Sequence, residues 1–146
     1  MNEQFHRKYR KVLEILPDVA ACVDNRMILA GGTALALFHL KHRVSIDLDF
    51  ATISGSEVKM KENLKGCISK KGYRTFRGVY SNQFVIQFED TSIKVEVFVP
   101  DCKINKYEEH TLGAATLKVA SLEDLLEMKV LAYSERRESR DLFDIV

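Results

Sequence analysis

Residues 29–50 constrain this chain more than any other stretch. They hold two neighbouring blocks, LAGGTALALF at 29–38 and RVSIDLDF at 43–50. A short apolar run meets a double glycine, Gly31-Gly32, and a helix-like run follows. A strand-like run then carries two aspartates, Asp47 and Asp49. Side chains alternate between the faces of a strand. Ser45, Asp47 and Asp49 therefore fall on one face, and Ile46, Leu48 and Phe50 on the other. Such a strand buries its apolar face, and carboxylates on a covered strand need partners. Hard divalent cations take carboxylate oxygens together with substrate phosphates. A glycine pair at a helix start offers free backbone N–H groups to phosphate. The two blocks together describe a metal–nucleotide site. The plainer reading is a solvated acidic edge strand beside a tight turn.

Bulk composition narrows the classes. A chain of 146 residues fits one compact domain. With 46% hydrophobic and 29% charged residues it reads as globular. A net charge of +1 gives no global field favouring nucleic acid or membrane, so polyanion binding needs a local patch. Lys59, Lys61, Lys65, Lys70 and Lys71 read as a solvated helix face. No apolar run approaches the roughly 20 residues that span a bilayer. Cys22, Cys67 and Cys102 are widely spaced, an odd count without a secretory segment. They are expected to be free thiols in a reducing, cytoplasmic setting.

Periodicity supplies the rest. Phe5, Tyr9, Val12, Leu13 and Leu16 recur at helical spacing, with Pro17 expected to stop the run. A second short helix is expected over 18–24, and a buried strand or helix approach over 27–30. Helix is expected over 33–40 and strand over 44–50. Ser56 suits the N-cap of a helix to about Lys70, ended by Gly72. Residues 73–79 and 84–89 read as a hairpin. Ile93, Val95, Val97 and Val99 alternate with Lys94, Glu96 and Phe98 in a strand ended by Pro100. Ser121 with Asp124 resembles a capping box and opens a helix. Residues 134–146 look helical and stop inside an apolar pattern, as a minimal or C-terminally shortened domain would. The fold class is α+β, a small mixed sheet flanked by helices.

Glu96 is the candidate third ligand. It joins the cluster if its strand pairs beside the Asp47 strand; otherwise it makes a cross-strand pair with Lys94 or another base. Arg43 is placed to meet a phosphate or the aspartates. Lys129 shares a helical face with Ala132, Tyr133 and Arg136. It fits either a triphosphate contact or an ordinary salt-bridged surface.

These motifs resemble the AbiEii/AbiGii toxin family of nucleotidyltransferases, within the DNA polymerase beta-like superfamily. The resemblance runs through Gly31-Gly32-Thr33, HRVSIDLDF, IKVEVF around Glu96, and Lys129 with RDLFDIV. It implies the polymerase beta-like fold and a single nucleotidyltransferase domain over 1–146. It implies Mg²⁺ or Mn²⁺ on Asp47, Asp49 and Glu96, and NTP phosphates against Gly31, Gly32 and Thr33, with Arg43 and Lys129 on phosphate charge. Lys129 and Asp141 match the family's late lysine and aspartate, both important for activity. Glu96 stands where the wider superfamily has aspartate. The implied activity is transfer of a nucleoside monophosphate from an NTP to an acceptor hydroxyl, on RNA such as the tRNA 3′ end or on protein. The implied setting is a toxin–antitoxin or abortive-infection system with a cognate antitoxin. Two rival expectations stand beside it: a catalytically degenerate module that binds NTP or a partner, and a metal-dependent phosphohydrolase.

Overall fold

The computed structural model describes residues 3–34, 38, 47–52, 57–100 and 104–136. Arg43, Ser45, Ser56, Cys102 and Asp141 lie outside the described residues. The elements run α1 (Glu3–Cys22), β1 (Met27–Ala30), α2 (Gly31–Ala34), β2 (Leu48–Thr52), α3 (Glu57–Lys70), β3 (Arg74–Arg77), β4 (Gln83–Gln87), β5 (Ser92–Phe98), β6 (Tyr107–Leu112), β7 (Ala115–Ala120) and α4 (Leu122–Arg136). The strands form one mixed sheet in the order β3-β4-β5-β2-β1-β7-β6. The β2–β5 and β1–β7 pairs are parallel and the others antiparallel. This is the α+β architecture that the pattern of elements implied.

One face of the sheet carries the core. Leu48 and Phe50 on β2, Ile93, Val95 and Val97 on β5, and Phe84 and Ile86 on β4 are all fully buried. They share one parity of the register, so they point the same way. Val12, Ile15, Leu16 and Val19 of α1 and Met60, Leu64 and Ile68 of α3 join them in one cluster. The chain's own period-2 and period-3.6 patterns thus meet across a single layer.

Several expectations need correction. Pro17 does not stop α1, which runs on to Cys22 as one helix in place of two. Proline costs the hydrogen bond to residue i−4, but here Pro17 and Leu13 are both exposed, so water can take up the freed carbonyl. Burial of Val19 and Ala20 holds the last turn in place. The lysine face is not wholly solvated: Lys61 is buried and pairs with Glu62. Strands β6 and β7 were not foreseen. Tyr107-Glu108-Glu109 is exposed on an edge strand, so no apolar alternation marks it. The available signal was the two-residue link Gly113-Ala114, where Gly113 takes φ +65 as a hairpin turn demands.

The cysteines also differ from expectation. Cys22 and Cys67 are joined in a disulfide with a Cα–Cα distance of 5.6 Å, not held as free thiols. Spacing alone hid this, because the last turn of α1 and the last turn of α3 are brought together only by the packing of those helices on one sheet face. The cap at α4 matches the sequence. Asp124 donates its N–H to Ser121 Oγ at 3.3 Å, and its Oδ2 accepts from Asn105 N and Lys106 N, both at 3.0 Å. Among the described residues, no helix is long and apolar enough to cross a membrane.

Candidate active site

Two central strands build the site on the face opposite the core. β1 and β2 pair antiparallel with Ala30 opposite Asp49. The chain leaves β1 straight into Gly31, so the glycine turn lands beside the acidic strand. Gly31 adopts φ +71, and a Cβ placed there would lie 2.5 Å from Asp49 Oδ2. Only glycine lets the backbone come this close to the carboxylate. Thr33 is fully buried, and its hydroxyl donates to the main-chain carbonyl of Asp47. That bond pins the start of β2 to the glycine turn. Thr33 thus acts on Asp47 through the backbone, a role its position beside the glycines did not reveal.

On the other side, β5 runs parallel to β2 with Glu96 opposite Asp49. The conditional expectation for Glu96 is met: its strand does lie beside the aspartate strand. Side chains two apart share a face, so Asp47, Asp49, Lys94 and Glu96 converge on one surface. Lys94 reaches Asp47, with Nζ 3.7 Å from Oδ2. Glu96 is held from the far side by Gln83, whose Nε2 donates to Oε1 at 2.6 Å across the β4–β5 pair. Neither Lys94 nor Gln83 was singled out as a site residue. Their relevance depends on register, which a linear sequence does not display.

The donor set is chemically suited to a hard divalent cation, being made of carboxylate oxygens alone. Among the described residues, no group of three His, Cys, Asp or Glu is arranged to hold a metal ion. The three carboxylates share a face without forming a closed cage. Magnesium usually takes one or two protein carboxylates and fills its octahedron with water and phosphate oxygens. Asp47, just before β2, and Asp49, on it, are the carboxylates that would offer such oxygens, with Glu96 beside them. Lys129 lies on α4, with its side chain outside the described part of the structure.

Beyond Glu96 the same face continues outward. Val85 lies opposite Lys94, Phe76 opposite Val85, and Arg74 opposite Gln87. Phe76 is 48% exposed and Tyr80, in the β3–β4 turn, 67%. Arg74 stands over the Phe76 ring, 5.7 Å from its centroid. Both charged side chains that β3, β4 and β5 turn to this face outward of Glu96, Arg74 and Lys94, are cationic.

Comparison with known proteins identifies the family and the fold. The family described as nucleotidyl transferase AbiEii toxin, type IV toxin–antitoxin system, matches residues 14–146. Among solved structures the chain is similar to JHP933 from Helicobacter pylori, at TM-score 0.67 and 22% identity, covering 99% of this chain and 66% of that one. A putative nucleotidyltransferase from H. pylori is similar at TM-score 0.66 and 23% identity, covering 99% and 67%. The antibiotic-resistance factor ANT(2'')-Ia shares the fold at TM-score 0.60 and 13% identity, covering 94% and 82%. The chain thus spans about two thirds of the two H. pylori proteins. No curated protein matches it significantly.

Proposed function

Because this chain belongs to the AbiEii family of nucleotidyltransferase toxins, we propose that its carboxylate face transfers a nucleoside monophosphate from an NTP to an acceptor hydroxyl. The observation that carries this reading is the convergence of Asp47, Asp49 and Glu96 beside Gly31. Asp47 and Asp49 hold Mg²⁺ or Mn²⁺, with Glu96 completing the acidic surface. Once bound, the metal supplies Lewis-acid activation of the acceptor hydroxyl and neutralises charge on the triphosphate. The triphosphate lies against Gly31 and Gly32, while buried Thr33, expected to touch phosphate, ties the glycine turn to Asp47 instead, and Arg43 and Lys129 balance the phosphate charge. The acceptor oxygen forms a bond to the α-phosphorus, and the bond to pyrophosphate breaks. Glu96 or Asp49 takes the acceptor's proton. Asp141 supports this late region as the family resemblance implies. Positioning and electrostatics supply most of the rate.

For the acceptor, RNA such as a tRNA 3′ end is favoured over protein. Outward of Glu96, Arg74 stands over the exposed Phe76 ring and joins a cation to an aromatic face, the combination that tracks phosphates and stacks bases. The type IV toxin–antitoxin setting of the family implies a cognate antitoxin.

The test is incubation with each labelled NTP, Mg²⁺ and total cellular RNA, beside Asp47→Ala and Asp49→Ala. The expected result is label on RNA with pyrophosphate released, lost in both variants while their melting curves stay near wild type. Full activity in both variants would sink the metal reading. Release of inorganic phosphate would indicate a phosphohydrolase, and NTP binding without any transfer a degenerate module.

A further inference from the structure

We propose that Lys94 is a positioning residue that couples metal binding to nucleotide binding at this site; the inference rests on the carboxylate-face reading above. Lys94 sits on β5, two residues before Glu96 and on the same face, with its Nζ 3.7 Å from Asp47 Oδ2. Its ammonium occupies the neighbourhood in which a cation held by Asp47 has to sit. The strand fixes its Cα beside β2, so it is a built-in counter-ion to that carboxylate. Its side chain is 43% exposed and that of Asp47 36%, so the four-carbon stem is free to swing outward.

Two cations on one carboxylate repel. In the nucleotide-free protein Lys94 therefore competes with divalent metal for Asp47. An arriving NTP reverses the sign. Its phosphates bring more negative charge than the metal alone neutralises, and a lysine ammonium is a compact donor that suits phosphate oxygens. Leaving Asp47 for the triphosphate, Lys94 stops opposing the metal and starts holding the nucleotide. Metal and nucleotide then each raise the other's affinity, as linkage requires. Metal occupancy without substrate is disfavoured.

The test is Mn²⁺ titration of the nucleotide-free protein, with free Mn²⁺ read by electron paramagnetic resonance, for wild type, Lys94→Met, Lys94→Arg and Asp47→Asn. Methionine keeps an unbranched stem of similar length without the charge. Removing a partly screened charge from a neighbouring site should tighten Mn²⁺ binding in Lys94→Met roughly threefold to tenfold. Lys94→Arg should stay near wild type. A merely structural lysine would leave metal affinity unchanged or weaken it, so tightening is specific to the proposed competition. Unchanged or weaker binding in Lys94→Met overturns the proposal, as does equal tightening in Lys94→Arg. If Asp47→Asn binds Mn²⁺ like wild type, the carboxylate reading falls and takes this one with it. Binding lost in Asp47→Asn but unchanged in Lys94→Met removes the role of Lys94 alone. Melting curves for each variant identify any that misfold.

Discussion

Gly31 shows how much a single residue can carry here. Its φ of +71 belongs to the left-handed region, and its missing Cβ leaves room for Asp49 Oδ2, 2.5 Å from where that atom would stand. Alanine would meet both problems. The left-handed backbone costs an L-residue roughly 1–2 kcal/mol, and the Asp49 carboxylate would have to rotate away. Gly31→Ala is therefore expected to lower unfolding free energy by about 1–2 kcal/mol in urea denaturation. Nucleotidyl transfer per folded molecule should fall far more, at least tenfold. A variant that loses stability but keeps its activity would show that Asp49 tolerates the shift. The glycine pair and the aspartates were legible in the sequence because their spacing is local. Gln83 and Lys94 were not, because each matters only through a neighbour on another strand.

At the scale of elements, legibility followed burial. β5 alternates buried and half-buried residues along its whole length, and the sequence pattern shows it, although Val99, expected on its apolar face, lies beyond its end and is 59% exposed. β6 has no buried residue and left no trace. The join between α1 and the sheet edge makes a different point. Tyr73, just before β3, donates its hydroxyl to Asp18 Oδ2 of α1 at 2.5 Å. Burial, and then the hydrogen bond to Asp18, push the Tyr73 phenol up to about 12 from its usual 10. The folded protein thus holds this proton more tightly than the unfolded chain does. Its contribution to stability is complete below pH 10 and fades as pH rises through 12. Thermal melts between pH 9 and about 12 should show wild type losing stability more steeply than Tyr73→Phe, which has no proton to lose. Parallel curves would mean that the phenol titrates alike in both states.

The whole molecule is closed by a bond that spacing did not announce. The Cys22–Cys67 disulfide spans 45 residues, and the loop it closes contains β1, α2 and β2. Gly31, Thr33, Asp47 and Asp49 therefore all lie inside one covalent ring. The bond itself links α1 to α3 on the core face, with the sheet between it and the carboxylates. Cross-linking a loop of this length removes unfolded-state entropy worth up to about 4 kcal/mol, with 2–4 kcal/mol typical for disulfides. Cys67→Ser, or reductant added to wild type, should each lower the unfolding free energy by about 2–4 kcal/mol. Reductant added to Cys67→Ser should do nothing further, because Cys102 has no part in the bond. Well below the melting temperature, transfer activity should survive reduction, since the strands that align the carboxylates are held by backbone pairing and core burial. A wild-type midpoint insensitive to reductant would show that the thiols stay apart. Loss of activity ahead of unfolding would show that the ring sets the geometry of the site as well as its stability.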